Sequence, residues 1–177
     1  ALIEASRYPE DYDGLIAGAP ASRFTQLAMA MAWTQQAQMP EGAALRPEQA
    51  GLIGDEVRAQ CDARDGQIDG SLADPRLCRF DAKKLACGTS PSPQCLAPAQ
   101  VIALERIAQG PRNARGRQVA FPYSLVASIK GQPMAQLGWE GWIMRGGKNL
   151  QPNSIFPTGM LSDFVAEPCA DTARINW

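Results

Sequence analysis

The sequence predicts an α+β fold, helix-rich, with short strands and loops stapled by disulfides. Three observations carry that expectation. Three segments of helical length present apolar residues at helical spacing, and a short apolar run is flanked by glycines. Four of the five cysteines, Cys61, Cys78, Cys87 and Cys95, crowd into a Gly/Pro/Asp-rich region without a C-x-x-C pair, a pattern that suits disulfides better than thiolate metal sites.

Taken in order, Ala1 to about Tyr8 reads as the tail of a helix stopped by Pro9, because proline disfavours the helical region for the residue before it. "YDGLIAGAPA" follows and reads as a buried strand ending in a loop. Ser22 is the expected cap of a helix running to about Gln38, whose stretch "LAMAMAW" reads as core. "LRPEQAGLIGDEVRAQ" predicts a second helix, with Pro47 in its first turn and Leu52, Ile53 and Val57 on its apolar face. "LAPAQVIALERIAQGP" predicts a third: Pro98 opens it, Val101, Ile102 and Leu104 supply apolar surface, and Gly110-Pro111 end it. Beyond Asn113, "AFPYSLV" and "LGWEGWIMRGGKN" read as short strands or pocket loops. No internal repeat or low-complexity tract is present.

Composition removes several function classes. The chain has 177 residues, 45% hydrophobic and 20% charged, the balance of a globular domain. Its net charge is −1 with no basic block, so nucleic acid is not an expected partner. No apolar run approaches the ~18 residues of a membrane span, so no membrane partner is expected either. There is no histidine, so the chain cannot by itself hold a Ser-His-Asp or Cys-His site or an imidazole zinc site. The cysteine usage points to an oxidising compartment, while the opening residues lack the basic and apolar regions of a signal peptide. Together these lead to the expectation of a piece of a longer exported protein.

The stretch "QCDARDGQIDGSLADPRLCRF" carries the sharpest chemistry. An EF-hand counted from Asp62 fails, because its third and fifth positions are Arg64 and Gly66. A different cage is available for calcium: the carboxylates of Asp62, Asp65 and Asp69, with Gly66 and Gly70 letting the backbone aim the carbonyls of Gln67 and Ser71 at the same point. Three carboxylates packed together would repel one another, and a divalent ion removes that penalty. Magnesium fits less well, since it demands near-octahedral geometry and keeps its water. The alternative is a solvated loop of Asp-Gly turns. A Cys61–Cys78 bridge would pin both ends of such a cage, and Cys87 and Cys95 could close a smaller ring, leaving Cys169 over.

These residues resemble the tannase and feruloyl esterase family of serine hydrolases. "ALIEASRYPEDYDGLIAGAPA" is similar to the family's segment just after its nucleophile motif, Cys-Ser-x-Gly-Gly-Arg. "CDARDGQIDGSLADPRLCRFD" followed by "CLAPAQVIALERIAQGP" looks like the family's lid with its calcium loop, and the likeness runs from Ala1 to about Gly116. The resemblance implies an α/β-hydrolase core with a large inserted lid. On that map residues 1–21 are a sliver of core and residues 22–177 are lid. The nucleophilic serine would precede Ala1 and the acid and histidine would follow Trp177. No catalytic residue is expected here, and none of Ser6, Ser22 or Ser124 stands in a nucleophile setting. The resemblance further implies Ca²⁺ held by Asp62, Asp65, Asp69 and the carbonyls of Gln67 and Ser71, and bridges Cys61–Cys78 and Cys87–Cys95.

A lid over an ester-cleaving triad offers concave, partly aromatic surface to a flat acyl group. Tyr123, Trp139 and Trp142 are the candidates, the alternative being that they are core residues. Glu140, between the tryptophans, would disfavour an anionic acyl group if it pointed into the pocket. The leading expectation is therefore the lid of a secreted or periplasmic ester hydrolase acting on galloyl, feruloyl or similar aryl esters. Its partners would be the substrate and the remaining core, and the chain alone would be inactive. Two other readings are a non-catalytic extracellular calcium-binding module recognising sugars or phenolics, and a disulfide-stapled structural domain with no ligand but calcium.

Overall fold

A computed structural model of the chain describes residues 1–18, 20–90, 92–125 and 138–144. Five α-helices occur there: α1 (Leu2–Arg7), α2 (Phe24–Ala37), α3 (Ala50–Cys61), α4 (Pro98–Gln109) and α5 (Trp139–Trp142). Short 3₁₀ turns join them at Pro9–Asp11, Pro47–Gln49, Asp62–Asp65, Pro75–Leu77 and Ala82–Leu85.

The core lies among α2, α3, α4, α5 and the Ala82–Leu85 turn. Leu45, Ile53, Val57, Leu96 and Leu104 are wholly buried in it, with Ile107, Trp139 and Met144 beside them. Each such aliphatic side chain contributes about 1.5–3 kcal/mol relative to exposure. On α2 the buried face is built of small residues, Ala28, Ala30, Ala32 and Ala37, around Trp33. These allow close packing on α4. There the Trp33 indole N–H donates to the Arg106 carbonyl at 2.8 Å, and the Arg106 guanidinium sits 4.3 Å from the Trp33 ring centroid.

The predicted helix starts hold at two of three places. Pro47 and Pro98 open their elements because a first-turn residue needs no amide proton. Ser22 does not cap α2: the residue before the first helical one is Arg23, and no side chain caps it. Ile53 and Val57 are buried and Leu52 is partly buried, as their spacing requires. Ile102 is a correction. It is 65% exposed, because α4 turns Val101, Ala103, Leu104 and Ile107 inward and leaves Ile102 on the solvent side.

The expected strands do not form among the described residues. Among the described residues the β-pairing is confined to two isolated bridges, parallel between Ala86 and Leu96 and antiparallel between Arg112 and Gln118. "YDGLIAGAPA" is irregular where described, and Ile16 is 97% exposed. A strand needs a neighbour to satisfy its backbone, and no described segment supplies one here. In "LGWEGWIMRGGKN" the described part is α5, one helical turn, and not a strand; Leu137 and residues 145–149 lie outside the described residues.

Two buried glutamines hold the frame. Gln49 Nε2 donates to Gln100 Oε1 at 3.1 Å, and Gln100 Nε2 donates back to Gln49 Oε1 at 3.0 Å. The second amide protons go to the carbonyls of Cys95 (3.4 Å) and Ala44 (2.8 Å). Each side-chain oxygen also accepts a backbone N–H, from Arg46 and Ala97 respectively. Truncating one member strands its partner and two backbone groups away from water. Gln100→Ala is therefore expected to lower the unfolding free energy by about 2 kcal/mol, read from urea denaturation. A change within error of the wild type would remove this pair from the account of stability.

Candidate functional site

Two features converge on the junction between the end of α3 and the end of α4: the aspartate loop and a groove. At the loop, α3 runs out at Cys61 into the Asp62–Asp65 turn, and Gly66 (φ 93°) and Gly70 (φ 79°) take left-handed conformations open to glycine. Cys61 is bonded to Cys78 with their Cα atoms 5.1 Å apart, closing the loop across 17 positions. A closure of this length is worth about 3 kcal/mol in the chain-entropy model. Beside it the Gln60 side chain both donates to the Asp81 carbonyl (3.0 Å) and accepts its N–H (2.8 Å), doubling the clasp. A second bridge, Cys87–Cys95, closes the smaller ring.

Within the loop each aspartate accepts backbone N–H groups. Both Asp62 oxygens take the Gly70 N–H at 3.0 and 3.1 Å. Asp65 takes the N–H of Gln67 at 3.1 Å and of Ala73 at 2.8 Å, and Asp69 takes that of Ser71 at 2.9 Å. The Ala73 N–H, and after it that of Gln67, holds the Asp65 carboxyl below the usual carboxylate range. The Arg76 side chain, then its backbone N–H, pushes Asp74 down to about 2.

As a test of fit for calcium, the donor types are right. Three carboxylates, that of Asp69 exposed and those of Asp62 and Asp65 on partly buried residues, and the carbonyls of Gln67 and Ser71, to which no N–H donates among the described residues, are hard oxygen ligands. The convergence expected from spacing is not present. Among the described residues no three acidic, histidine or cysteine side chains are grouped so that one ion could join them. The physical reason lies in the contacts above: Asp62, Asp65 and Asp69 are turned onto different amides of the loop.

The groove encloses about 980 Å³ between residues 72–83, the last turn of α4 and residues 118–125. Its far wall is fixed by Gly110, which ends α4 at φ 70° and lies so close to Pro122 that an added Cβ would stand 2.8 Å from the proline nitrogen. Phe80, Phe121 and Tyr123 line it, with Arg76, Arg79, Lys83 and Arg112 around them and Glu105 as the one acid. Phe121 is 85% exposed. Burial pushes the Tyr123 phenol far above its ordinary range, so it is neutral at physiological pH.

Of the three aromatic candidates, only Tyr123 lines this groove. Trp139 is 1% exposed in the core, where its indole N–H donates to the Ser124 carbonyl at 2.7 Å and so buttresses the segment carrying Tyr123. Trp142 packs, partly buried, against the core. The Glu140 side chain and Cys169 lie outside the described residues. The sequence reading missed Phe80, Phe121 and the cations. The nearest signal was an aromatic placed directly after the Cys78-Arg79 pair.

A family model described as tannase and feruloyl esterase matches residues 1–174. Over 146 residues the chain is 38% identical to a protein of Xanthomonas campestris pv. campestris described as an uncharacterized esterase, covering 81% of this chain and 24% of that protein. It is 28% identical over 166 residues to the mono(2-hydroxyethyl) terephthalate hydrolase of Piscinibacter sakaiensis, covering 80% of this chain and 28% of that protein. The chain thus spans about a quarter of the length of these relatives. Its fold is similar to the crystal structure of feruloyl esterase B from Aspergillus oryzae, with a TM-score of 0.76 at 21% identity, covering 98% of this chain and 33% of that one.

The loop's carboxylates generate a pH dependence. Asp65 and Asp74 have folded-state values below the ordinary 3.8, so their contribution is fully present above that value and is lost as pH falls through the folded values. In chelator-containing buffer, Asp65→Asn should melt slightly below the wild type at neutral pH, and the gap should close as pH falls below the ordinary carboxylate value. A gap that stays constant down to the acid limit would contradict this assignment.

Proposed function

The chain belongs to the tannase and feruloyl esterase family, and from that premise we propose that it is the lid, with a short piece of the core, of a secreted carboxylic ester hydrolase acting on aromatic esters. The observation that carries the proposal is the family match across residues 1–174. The absence of histidine from the chain agrees with a triad whose members lie elsewhere in the full protein. Two disulfides agree with an oxidising compartment. Among the described residues no helix is long and apolar enough to cross a membrane. The aromatic preference is supported by the relative whose name specifies a terephthalate ester, and by the ring-lined groove.

The division at residue 21 follows the family resemblance, and the exposure of the segment before α2 agrees with it. No residue of α1 is buried, and Leu2, Ile3, Tyr8, Tyr12 and Ile16 face outward, an apolar surface that the remaining core would cover. In the full protein serine attacks the ester carbonyl, histidine moves the proton and backbone N–H groups stabilise the oxyanion. The chain described here contributes shape and exclusion of water. By itself it does not hydrolyse esters.

The full-length protein should cleave methyl esters of phenolic acids with kcat/KM at least about tenfold above that for a short alkyl ester. Absence of hydrolysis overturns the enzymatic reading, and equal rates on both overturn the aromatic preference. The calcium assignment to Asp62, Asp65, Asp69 and the Gln67 and Ser71 carbonyls has its own test. Chelator should lower Tm, calcium should restore it, and magnesium should restore it poorly. A melting curve indifferent to all three would sink it.

A further inference from the structure

No acidic residue stands between Glu105 and Glu140, yet that stretch carries Arg106, Arg112, Arg115, Arg117 and Lys130. Three of these cations, Arg112, Arg115 and Arg117, meet at one tight turn beyond α4. Asn113 builds it: its side-chain oxygen accepts the N–H groups of Arg115 and Arg117, each at 3.0 Å. Main-chain bonds close it, from the Gly116 N–H to the Asn113 carbonyl (2.8 Å) and from the Asn113 N–H to the Arg117 carbonyl (3.0 Å). Gly116, at φ 74°, supplies the left-handed residue that the reversal needs. The Arg112 side chain adds a clasp, donating to the Gly116 carbonyl at 2.9 Å. All three arginines are exposed, and none forms an ion pair with a carboxylate among the described residues. The tip of the turn, residues 113–117, takes no part in lining the groove. A chain whose net charge is −1 thus holds a fixed spot of positive potential away from that cavity. Neutral residues separate the arginines along the chain, so no run of consecutive cations marks the spot.

We propose that this turn is a docking surface for an acidic polysaccharide, a chain of uronate sugars, with Arg115 and Arg117 as its principal contacts. An exposed turn offers no enclosure to a small ion, but it suits a polymer that brings several carboxylates at once and gains by multivalency. Each guanidinium can take a carboxylate in a fork of two hydrogen bonds, and all three cations here are arginine. The Asn113 and Gln118 side-chain N–H groups have no acceptor among the described residues, which leaves neutral donors beside the charges for sugar hydroxyls. The bonds within the turn fix its backbone in advance, so binding orders little more than the arginine side chains. Other polyanions fit less well. Ala114 is the one apolar side chain among residues 113–117, so nothing there would insert into a bilayer. The tip holds no aromatic ring on which a nucleic-acid base could stack. The two disulfides also favour an oxidising compartment, where polysaccharide is the more accessible partner. This binding stands on the turn alone and does not require the ester-hydrolase reading.

The test is calorimetric titration of the full-length protein with polygalacturonate and with its fully methyl-esterified, uncharged counterpart. Low ionic strength and no added calcium keep ion bridging from standing in for arginine. The acid polymer should bind at least about tenfold tighter than the ester, and its affinity should fall as salt is raised. The double variant Arg115→Gln/Arg117→Gln should lose that preference, whereas Lys84→Gln, which removes an exposed cation outside the turn, should keep it. An unchanged Tm shows that the double variant is folded. Should it fail to fold, the acid-to-ester comparison and the salt dependence in the wild type decide. Equal affinity for the two polymers, an affinity insensitive to salt, a folded double variant that keeps the preference, or an equal loss in Lys84→Gln would each overturn the proposal. Tighter binding to phosphatidylglycerol vesicles or to duplex DNA than to polygalacturonate would overturn the choice of partner. Hydrolysis of a small uncharged ester is measured separately, so either result can fail while the other stands.

Discussion

Everything in the described structure hangs on a pair of amides that face each other in the dark. Gln49 sits in the turn entering α3 and Gln100 in the first turn of α4, and their side chains exchange two hydrogen bonds while collecting four backbone groups between them. A buried amide left partly unsatisfied costs more than a made hydrogen bond returns, so the arrangement tolerates few alternatives. It sets where two helices begin. The geometry at their far ends, where the aspartate loop leaves α3 and the groove lies beside α4, inherits that register.

The second constraint is covalent and sits at those far ends. The Cys61–Cys78 bond returns the chain to α3 after the aspartate loop, and Gln60 grips Asp81 a few residues on. Cys78 is itself part of the groove's lining. Loop and groove therefore share one anchor, and a disturbance of either reaches the other through a single sulfur bridge and not through a long chain of contacts. The aspartates, bonded to their own loop's amides, add local order on top of this closure.

The sequence announced the helices because their signals are local. Pro47 and Pro98 in first turns, Gly110 after the last, and apolar residues at helical spacing between them need no knowledge of the rest of the chain. Ile102 shows the limit: the pattern names a set of apolar residues, but which of them face inward depends on where the neighbours pack. Trp139 failed as a pocket residue for the same reason, since its burial under Ser124 joins distant segments. The strand read in "YDGLIAGAPA" was a statement about partners that the described residues do not provide. The glutamine pair gave no signal at all, because polar residues are expected outside. The cations of the groove come from separate segments, so only the fold makes them neighbours. The loop's aspartates were legible as a group, though their orientation was not.

The contact between Gly110 and Pro122 separates form from chemistry in the groove. Two stretches of main chain touch there, at a position where any side chain would collide with the proline ring. The width of the opening is thus set by a spacer that carries no functional group. Side chains along the walls are free to vary, exchanging a cation for a neutral residue or one ring for another, without the walls themselves moving. Diversification of ligand preference across such a scaffold would leave position 110 fixed while its surroundings drift.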